Sequence, residues 1–235
     1  MPAMSHDRPN AGEISSPTTA TGIHDSYQRY SGWTGSKALI FELVPQSSTV
    51  LDIGCSSGVI GKELHQKKNC KLFGIEIDPQ AVEIARKSYY EVYAGDIQEP
   101  FELPTKHLGS FDSVIFGDVL EHTINPEKVL TFYLRYLKEG GTAIISLPNV
   151  ANWLNRVQLL FGKWEYRDVG TLDKTHLRFY NYNSAEKLLR HSGLKIERVE
   201  CTSGAHRIDL KVRYNNPAKL WKNLLAYQFV FKCSK

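Results

Sequence analysis

The sequence predicts an α/β fold built on a parallel sheet. Short runs of β-branched and other apolar residues alternate with longer stretches of helical pattern, as is typical of strand–helix–strand units. The chain has 235 residues, of which 42% are hydrophobic and 23% are charged. A chain of this length and composition can bury a sizeable core, which excludes disorder throughout and fibrous repeats.

Five strands are predicted in the first two thirds of the chain. The first, Thr49–Ile53, runs directly into a turn of Gly, Cys and Ser and then into a helix over residues 59–67. A second strand over residues 71–75 is followed by a helix that Asp78 caps and Pro79 opens. The other three strands are predicted over residues 91–94, 113–116 and 142–147.

The later elements are predicted from helix stop signals and apolar runs. A helix opens at Pro126, carries Leu137 in its apolar stripe and ends at Gly140 and Gly141. From residue 150 the alternation stops in an aromatic and basic stretch, and long irregular connections of this kind are usually lids or binding loops. A helix over 184–191, a strand over 195–201 and an apolar run over 224–231, which could supply a last strand, complete the pattern.

Charge and cysteine content narrow the class of protein. The 29 Lys and Arg exceed the 25 Asp and Glu by four and form no dense basic patch, so we expect no nucleic-acid partner. The four cysteines are widely spaced, and no metal site is predicted. Residues 1–21 lack the apolar run of a signal peptide, and no run is long enough to span a membrane. We therefore expect a cytoplasmic protein without integral membrane association.

Residues 50–58, with the sequence VLDIGCSSG, are the most informative segment. A strand that runs into a glycine turn and a helix places a ligand at the carboxyl end of the strand, against backbone N–H groups. A dinucleotide fingerprint requires G-x-G-x-x-G, but the glycines fall at 54, 58 and 61, and that match fails. The segment also fits the G-x-S-x-G nucleophile elbow of α/β hydrolases, although no HGGG-like segment precedes it.

A third interpretation is that the chain resembles class I S-adenosylmethionine-dependent methyltransferases of the small-molecule type. Motif I of that family is V-L-D-x-G-C-G-x-G, from which this chain departs only at Ser56. Four further motifs follow in order, namely FGIEIDP at 73–79, AGDI at 94–97, FDSVIFGDVLEH at 111–122 and LKEGGT at 137–142. The resemblance implies a Rossmann-like, doubly wound sheet of seven strands, mostly parallel, with the last strand antiparallel.

The same resemblance divides the chain into functional parts. Residues 1–22 hold almost no large apolar side chains and are predicted to be disordered. Residues 23–235 are predicted to form the methyltransferase domain, with a cofactor half over about 48–149 and a lid or acceptor insertion over about 150–183.

The implied cofactor is S-adenosylmethionine, and the strand ends supply its binding residues. Gly54 and Gly58 would let the backbone approach the amino-acid part of the cofactor, and Asp52 would reach its ammonium group through water. Glu76 is placed to accept hydrogen bonds from both ribose hydroxyls. The full predicted set is Asp52, Gly54, Cys55, Ser56, Gly58, Glu76, Ile77, Asp96, Ile97 and Asp118. For the adenine end the resemblance implies Asp96 and Ile97, and for the methionine end Asp118. An isolated Asp at a strand end is often only a turn or helix cap.

Two histidines are the predicted catalytic residues. His122 follows the fourth strand, where the family often places active-site residues, and a packing role is its alternative. His176 lies in DKTHLRFY, residues 173–180, which resembles a segment that closes over the pocket in methyltransferases of sugars, quinone precursors and other natural products. Asp173 or Glu121 would orient His176 as a base.

The acceptor is predicted to be a small molecule that is methylated at oxygen. Trp153, Arg178 and Tyr180 are the predicted substrate-binding residues, since aromatic side chains suit a ring-shaped acceptor and arginine an acidic one. The same side chains could instead dock the lid, form a small core beneath it or meet a membrane surface. A binding protein that keeps the cofactor site without catalysis is the remaining alternative.

Overall fold

Seven strands form one mixed sheet in the computed structural model, which describes residues 35–99, 101–203 and 223–235. The strands are β1 (Thr49–Ile53), β2 (Lys71–Glu76), β3 (Glu91–Ala94), β4 (Phe111–Gly117), β5 (Leu137–Pro148), β6 (Lys195–Ser203) and β7 (Ala226–Ser234). Their order across the sheet is β3-β2-β1-β4-β5-β7-β6, and β7 runs antiparallel to both of its neighbours. The predicted fold class, including the antiparallel last strand, is confirmed.

Helices cover both faces of the sheet, and each face has its own apolar core. The helices are α1 (Ser36–Leu43), α2 (Val59–Lys68), α3 (Pro79–Ala85), α4 (Pro126–Tyr133), α5 (Trp153–Leu160) and α6 (Tyr182–His191). Side chains of α1, α2 and α3 pack on one face with Val50 and Ile115 of the sheet. Side chains of α4 and α6 pack on the other face with Leu51 and Phe116. The alternation of strand residues between two cores explains their continuous apolar runs.

The predictions hold best where one local signal decides the structure. The bounds of β1 and β3 are those predicted, and the Asp78 side chain accepts a hydrogen bond from the backbone N–H of Gln80 at 2.8 Å, which confirms the cap of α3. The predicted disordered segment over 1–22 lies outside the described residues. In the part of the chain that the structure describes, no helix is both long and apolar enough to cross a membrane.

The predicted end of the helix that begins at Pro126 is wrong. This helix ends at Tyr133, a 3-10 turn follows, and β5 already begins at Leu137 and runs through Gly140 and Gly141. Leu137 pairs with Phe111 of β4, and both side chains are buried in the core. Pairing with a neighbouring strand therefore overrides the local glycine signal.

The prediction of an irregular connection after Pro148 is also wrong in part, because α5 lies within it. The Asn152 side chain caps this helix by accepting from the backbone N–H of Asn155 at 3.1 Å, and Gly162, with φ of 70°, follows its end. Most of its large apolar side chains are exposed, and Leu160 has 81% of its surface in solvent. The helix therefore has little of the buried apolar stripe that identifies a helix in a globular domain.

Asn149 fixes the start of this insertion to the sheet. It is fully buried at the end of β5, and its Nδ2 donates to the carbonyl oxygens of Ala226 at 2.7 Å and Asn223 at 2.9 Å. Its Oδ1 accepts from the backbone N–H of Ala151 at 3.0 Å. One side chain therefore joins β5, the beginning of β7 and the segment that leads to α5.

Replacing Asn149 with alanine is expected to lower the free energy of unfolding by about 2 kcal/mol, because two carbonyl oxygens lose their donor inside the fold. Urea denaturation followed by circular dichroism measures the change. Gln80→Ala, at an exposed position of α3, is the control and should change stability by less than about 0.5 kcal/mol. Equal stability of the two variants would contradict this role of Asn149.

Candidate active site

The glycine turn after β1 lies against the end of β2. The backbone N–H groups of Gly54 and Cys55 both donate to the Ile75 carbonyl, at 2.9 and 3.0 Å. Gly54 has φ of 71°, and a Cβ there would lie 2.6 Å from Val119. Gly58 has φ of 76°, and a Cβ there would lie 2.8 Å from the Tyr89 ring. Both positions therefore require glycine for conformation and for space.

Glu76 connects this turn to the second strand. Its Oε2 accepts from the Ser56 backbone N–H at 2.8 Å, and its Oε1 accepts from those of Ile77 and Asp78, both at 2.9 Å. The Ile77 side chain is exposed. The side chain of Cys55, within the turn, is buried. Burial raises the pKa of its thiol, which keeps the thiol protonated.

Asp52 is buried next to Tyr89 at the carboxyl end of β1. The Tyr89 hydroxyl donates to Asp52 Oδ2 at 2.6 Å. Burial raises the pKa of Asp52 to about 6; the Tyr89 hydrogen bond lowers it and the charge of Glu76 raises it. No sequence signal pointed to Tyr89, which lies 37 residues from Asp52 in the chain.

Asp96 and Ile97 follow β3, as predicted. Asp96 Oδ1 accepts from the backbone N–H of Gln98 at 2.9 Å, which is the turn-capping geometry, while its other carboxyl oxygen has no hydrogen bond among the described residues. The Ile97 side chain is partly buried against the core. Capping therefore uses one oxygen of Asp96 and leaves the second for a ligand.

Asp118 joins several elements at the end of β4. It adopts φ of 55°, and its carboxyl group accepts from Ser36 of α1 at 3.1 Å, from Ser146 of β5 and from Gln228 of β7. Burial raises its pKa, and the hydrogen bonds of Ser146 and Ser36 oppose that shift. Asp118 therefore has a structural role at the position for which the sequence predicts contact with the cofactor.

The two predicted catalytic histidines lie side by side, although 53 residues separate them in sequence. The rings of His122 and His176 make an edge-on contact, with centroids 4.8 Å apart. The segment that carries His176 is held to the 3-10 turn Leu120–His122 by two backbone hydrogen bonds, since the N–H groups of Leu177 and Arg178 donate to the Glu121 carbonyl at 2.8 and 3.0 Å.

Asp173, one of the two predicted orienting groups, is linked to His122 rather than to His176. Asp173 Oδ1 accepts from the Thr175 hydroxyl at 2.7 Å, and this hydroxyl lies 3.1 Å from Nδ1 of His122. Asp173 therefore orients His122 through Thr175, whereas Nδ1 of His176 is buried without a partner among the described residues. Burial and the nearby His122 lower the pKa of His176 to about 4.

Glu121 is a site residue that the sequence interpretation treated only as a possible orienter. It is 1% exposed, and its Oε2 has no hydrogen-bond partner among the described residues. Burial raises its pKa well above the ordinary value, and the charges of Asp118 and Asp173 raise it further. The sequence signal that could have identified Glu121 is its position in the motif after the fourth strand, between Leu120 and His122.

The predicted substrate-binding residues have different surroundings. Trp153 is 53% exposed on α5. Arg178 donates from Nε and Nη2 to the Ile124 carbonyl, at 3.2 and 2.6 Å, which docks the His176 segment on the domain. Tyr180 is buried, its hydroxyl has no partner in the described chain, and it lines a groove of about 420 Å³ together with Arg178 and Pro126.

Comparison with known proteins identifies the family. A family model described as a methyltransferase domain matches residues 25–199. The chain therefore belongs to this methyltransferase family, as the motifs predict. The match favours the methyltransferase interpretation of the glycine turn over the hydrolase elbow.

Curated relatives match only part of the chain. The ubiquinone biosynthesis O-methyltransferase of Xanthomonas axonopodis pv. citri is 28% identical over 110 residues, which cover 46% of this chain and 46% of that protein. The corresponding enzyme of Azoarcus sp. is 29% identical over 106 residues, 43% of this chain and 44% of that protein. The chain thus spans about half the length of these relatives.

Solved structures share the fold over nearly the whole chain. An S-adenosylmethionine-dependent methyltransferase of Thermotoga maritima, described as a possible histamine N-methyltransferase, has a TM-score of 0.63 at 20% identity and covers 91% of both chains. A TehB-like methyltransferase of Corynebacterium glutamicum has a TM-score of 0.58 at 17% identity, over 92% of this chain and 100% of that one. These similarities establish the architecture.

The raised pKa of Asp52 predicts a pH-dependent stability. The folded protein holds this proton with a pKa of about 6, against 3.8 in the unfolded chain. The contribution of Asp52 is therefore fully present below pH 3.8 and is lost as pH rises through 6. Relative to Asp52→Asn, the free energy of unfolding of the wild type should fall by about 2 kcal/mol between about pH 4 and pH 7. Urea denaturation of the cofactor-free protein at several pH values measures this difference.

Asp112→Asn is the control for this experiment. Partial burial raises the pKa of Asp112, but hydrogen bonds from Lys138 and from the Thr49 backbone outweigh burial and lower it overall. Asp112 therefore titrates below pH 3.8, and its variant should differ from the wild type by a constant amount over the same range. A constant difference for Asp52→Asn as well would contradict the raised pKa.

Proposed function

We propose that the protein transfers the methyl group of S-adenosylmethionine to a hydroxyl oxygen of a small molecule. The contact between His122 and His176 carries this proposal, because two imidazoles lie together just after the carboxyl end of β4. Methylation of a hydroxyl requires removal of a proton, for which imidazole is well suited. Sugars, quinone precursors and other hydroxylated natural products are the proposed acceptors.

Two further observations support this acceptor class. The partial relatives named above are O-methyltransferases of ubiquinone biosynthesis, and their similarity extends over more than 100 residues. In addition, the basic residues form no dense patch of the kind that binds nucleic acid. We therefore favour a small hydroxylated acceptor over a macromolecule.

The strand-end acids are proposed to bind the cofactor. Glu76 already accepts from three backbone N–H groups. Of the roughly four acceptor positions of a carboxylate, one therefore remains on Oε2, and it is proposed to accept from a ribose hydroxyl. Asp52 is proposed to face the ammonium group, Asp96 the adenine amino group and Asp118 the methionine end. The glycine turn, with Gly54, Cys55, Ser56 and Gly58, is proposed to contact the amino-acid part, while Ile77 and Ile97 flank the adenosine.

Methyl transfer is an in-line displacement at carbon. A bond forms between the acceptor oxygen and the methyl carbon while the bond from that carbon to sulfur breaks, which leaves S-adenosylhomocysteine. The protein accelerates this step mainly by aligning the oxygen, carbon and sulfur. The histidine pair is proposed to accept the proton of the acceptor hydroxyl.

Replacing Glu76 with glutamine should raise the Kd for S-adenosylmethionine about 30-fold or more, since the ribose hydroxyl loses a charged acceptor. Isothermal titration calorimetry measures the Kd, and urea denaturation of the same variant shows whether the turn remains folded. Glu83→Gln is the matched control, because Glu83 is an exposed glutamate of α3. A folded Glu76→Gln protein with wild-type affinity would refute the ribose assignment.

Replacing either histidine should lower turnover about 10²- to 10⁴-fold if proton removal depends on the pair. The assay screens hydroxylated metabolites, sugars and quinone precursors and measures S-adenosylhomocysteine. His65→Ala, at an exposed position in the last turn of α2, is the control. Full turnover in both His122→Ala and His176→Ala would contradict a role for the pair, and absence of turnover with every acceptor would favour a non-catalytic role.

A further inference from the structure

Three of the six buried side-chain atoms without a hydrogen-bond partner among the described residues belong to the histidine pair and its neighbours Glu121 and Tyr180. Glu121 Oε2, His176 Nδ1 and the Tyr180 hydroxyl are buried and have no hydrogen-bond partner among the described residues. More than nine in ten buried polar groups in folded proteins are hydrogen bonded, because an unpaired one costs free energy. A cluster of unpaired groups at one place indicates that something binds there.

The ligand atoms are near enough to one another to share a metal ion. One donor atom each from Glu121, His122 and His176 lies within 4.8 Å of the others. Ligands about 2.1 Å from one ion lie roughly 3 to 3.5 Å apart, so small side-chain rotations would bring these three into range. Glu121 is 99% buried, and the neighbouring acids Asp118 and Asp173 add to the negative charge at this position.

The hydrogen bonds of His122 at Nδ1 leave its Nε2 available to bind a metal ion. Nδ1 of His122 lies 3.2 Å from the Thr175 carbonyl, which can only accept, and 3.1 Å from the Thr175 hydroxyl, whose own proton goes to Asp173. Nδ1 therefore carries the ring proton, and Nε2 keeps its lone pair. A carboxylate that fixes the tautomer of a histidine is the usual outer support of a metal-binding histidine.

We propose that Glu121, His122 and His176 bind a divalent first-row transition metal ion of the Zn²⁺ type. Two imidazoles and one carboxylate favour such an ion over Mg²⁺, which prefers oxygen ligands. Three protein ligands leave a coordination position open, as in catalytic rather than structural zinc sites. The inference deepens the proposed function and rests on it, because the open position is where the acceptor hydroxyl would bind.

The ion would activate the acceptor directly. An oxygen bound to a metal ion loses its proton more readily, so the hydroxyl would release its proton to solvent and attack the methyl carbon as an anion. The carbon–sulfur bond breaks with its electron pair on sulfur, and the metal ion is neither oxidised nor reduced. In this arrangement the histidines hold the ion, and the ion replaces a protein base.

Binding of Co²⁺ to protein stripped with a chelator tests the site without any assay of activity. We expect one Co²⁺ per chain, with visible d–d absorption bands more intense than those of six-coordinate Co²⁺ in water, and Zn²⁺ should displace it. Glu121→Gln and His176→Ala should each weaken this binding at least 100-fold, and Asp173→Asn, which acts through Thr175, about 10- to 100-fold. His65→Ala should bind Co²⁺ like the wild type.

Cofactor affinity is measured on the same proteins. Normal binding of S-adenosylmethionine by Glu121→Gln shows that its fold is intact, so that loss of Co²⁺ is specific to the metal site. Failure of the wild type to bind S-adenosylmethionine would refute the proposed function and leave the Co²⁺ result independent. No Co²⁺ binding by the wild type, or equal binding by wild type and both ligand variants, would overturn the metal site.

Discussion

The carboxylate of Glu76 is the interaction on which the cofactor half depends. It accepts backbone hydrogen bonds from Ser56 in the turn and from Ile77 and Asp78 after β2, so one side chain sets the separation of two neighbouring strand ends. The same bonds fix the turn that leads into α2. A neutral side chain at this position would weaken these contacts and the proposed ribose contact together.

Much of the fold and many of the site positions follow from the sequence because the decisive signals are local. A β-branched run that ends in a glycine turn predicted β1, and Asp78 before Pro79 predicted the start of α3. The strand-end acids could be identified because the carboxyl ends of parallel strands share one edge of the sheet. Local chemistry thus placed the strand-end acids at one edge of the sheet, and comparison with known proteins identified the family.

The features that the sequence did not predict depend on contacts between distant segments. Leu137 belongs to a strand only because Phe111 lies opposite it. Tyr89 belongs to the candidate site because the folded chain brings its hydroxyl to Asp52. Thr175 belongs to it because the insertion brings its hydroxyl next to His122. Neither hydrophobic periodicity nor a capping residue predicts contacts of this kind, because they are determined by tertiary packing.

The insertion is held to the sheet where it begins and where it ends. Asn149 fixes its beginning, and the bonds from Leu177 and Arg178 to the Glu121 carbonyl fix its end. The segment between them carries exposed apolar side chains on α5, whereas the cofactor edge is closely packed. Residues of the insertion can therefore change without disturbing Glu76 or Asp52.

The position of β7 determines the order in which the molecule can be completed during synthesis. Among the described strands β6 pairs only with β7, which is made after it and lies between β6 and β5. A growing chain that has reached β6 therefore lacks the strand with which β6 pairs in the folded protein, and Asp118 still lacks its partner Gln228. The strands β1 to β5 can pair early, but the β6 side of the sheet is completed only after β7 has been synthesised.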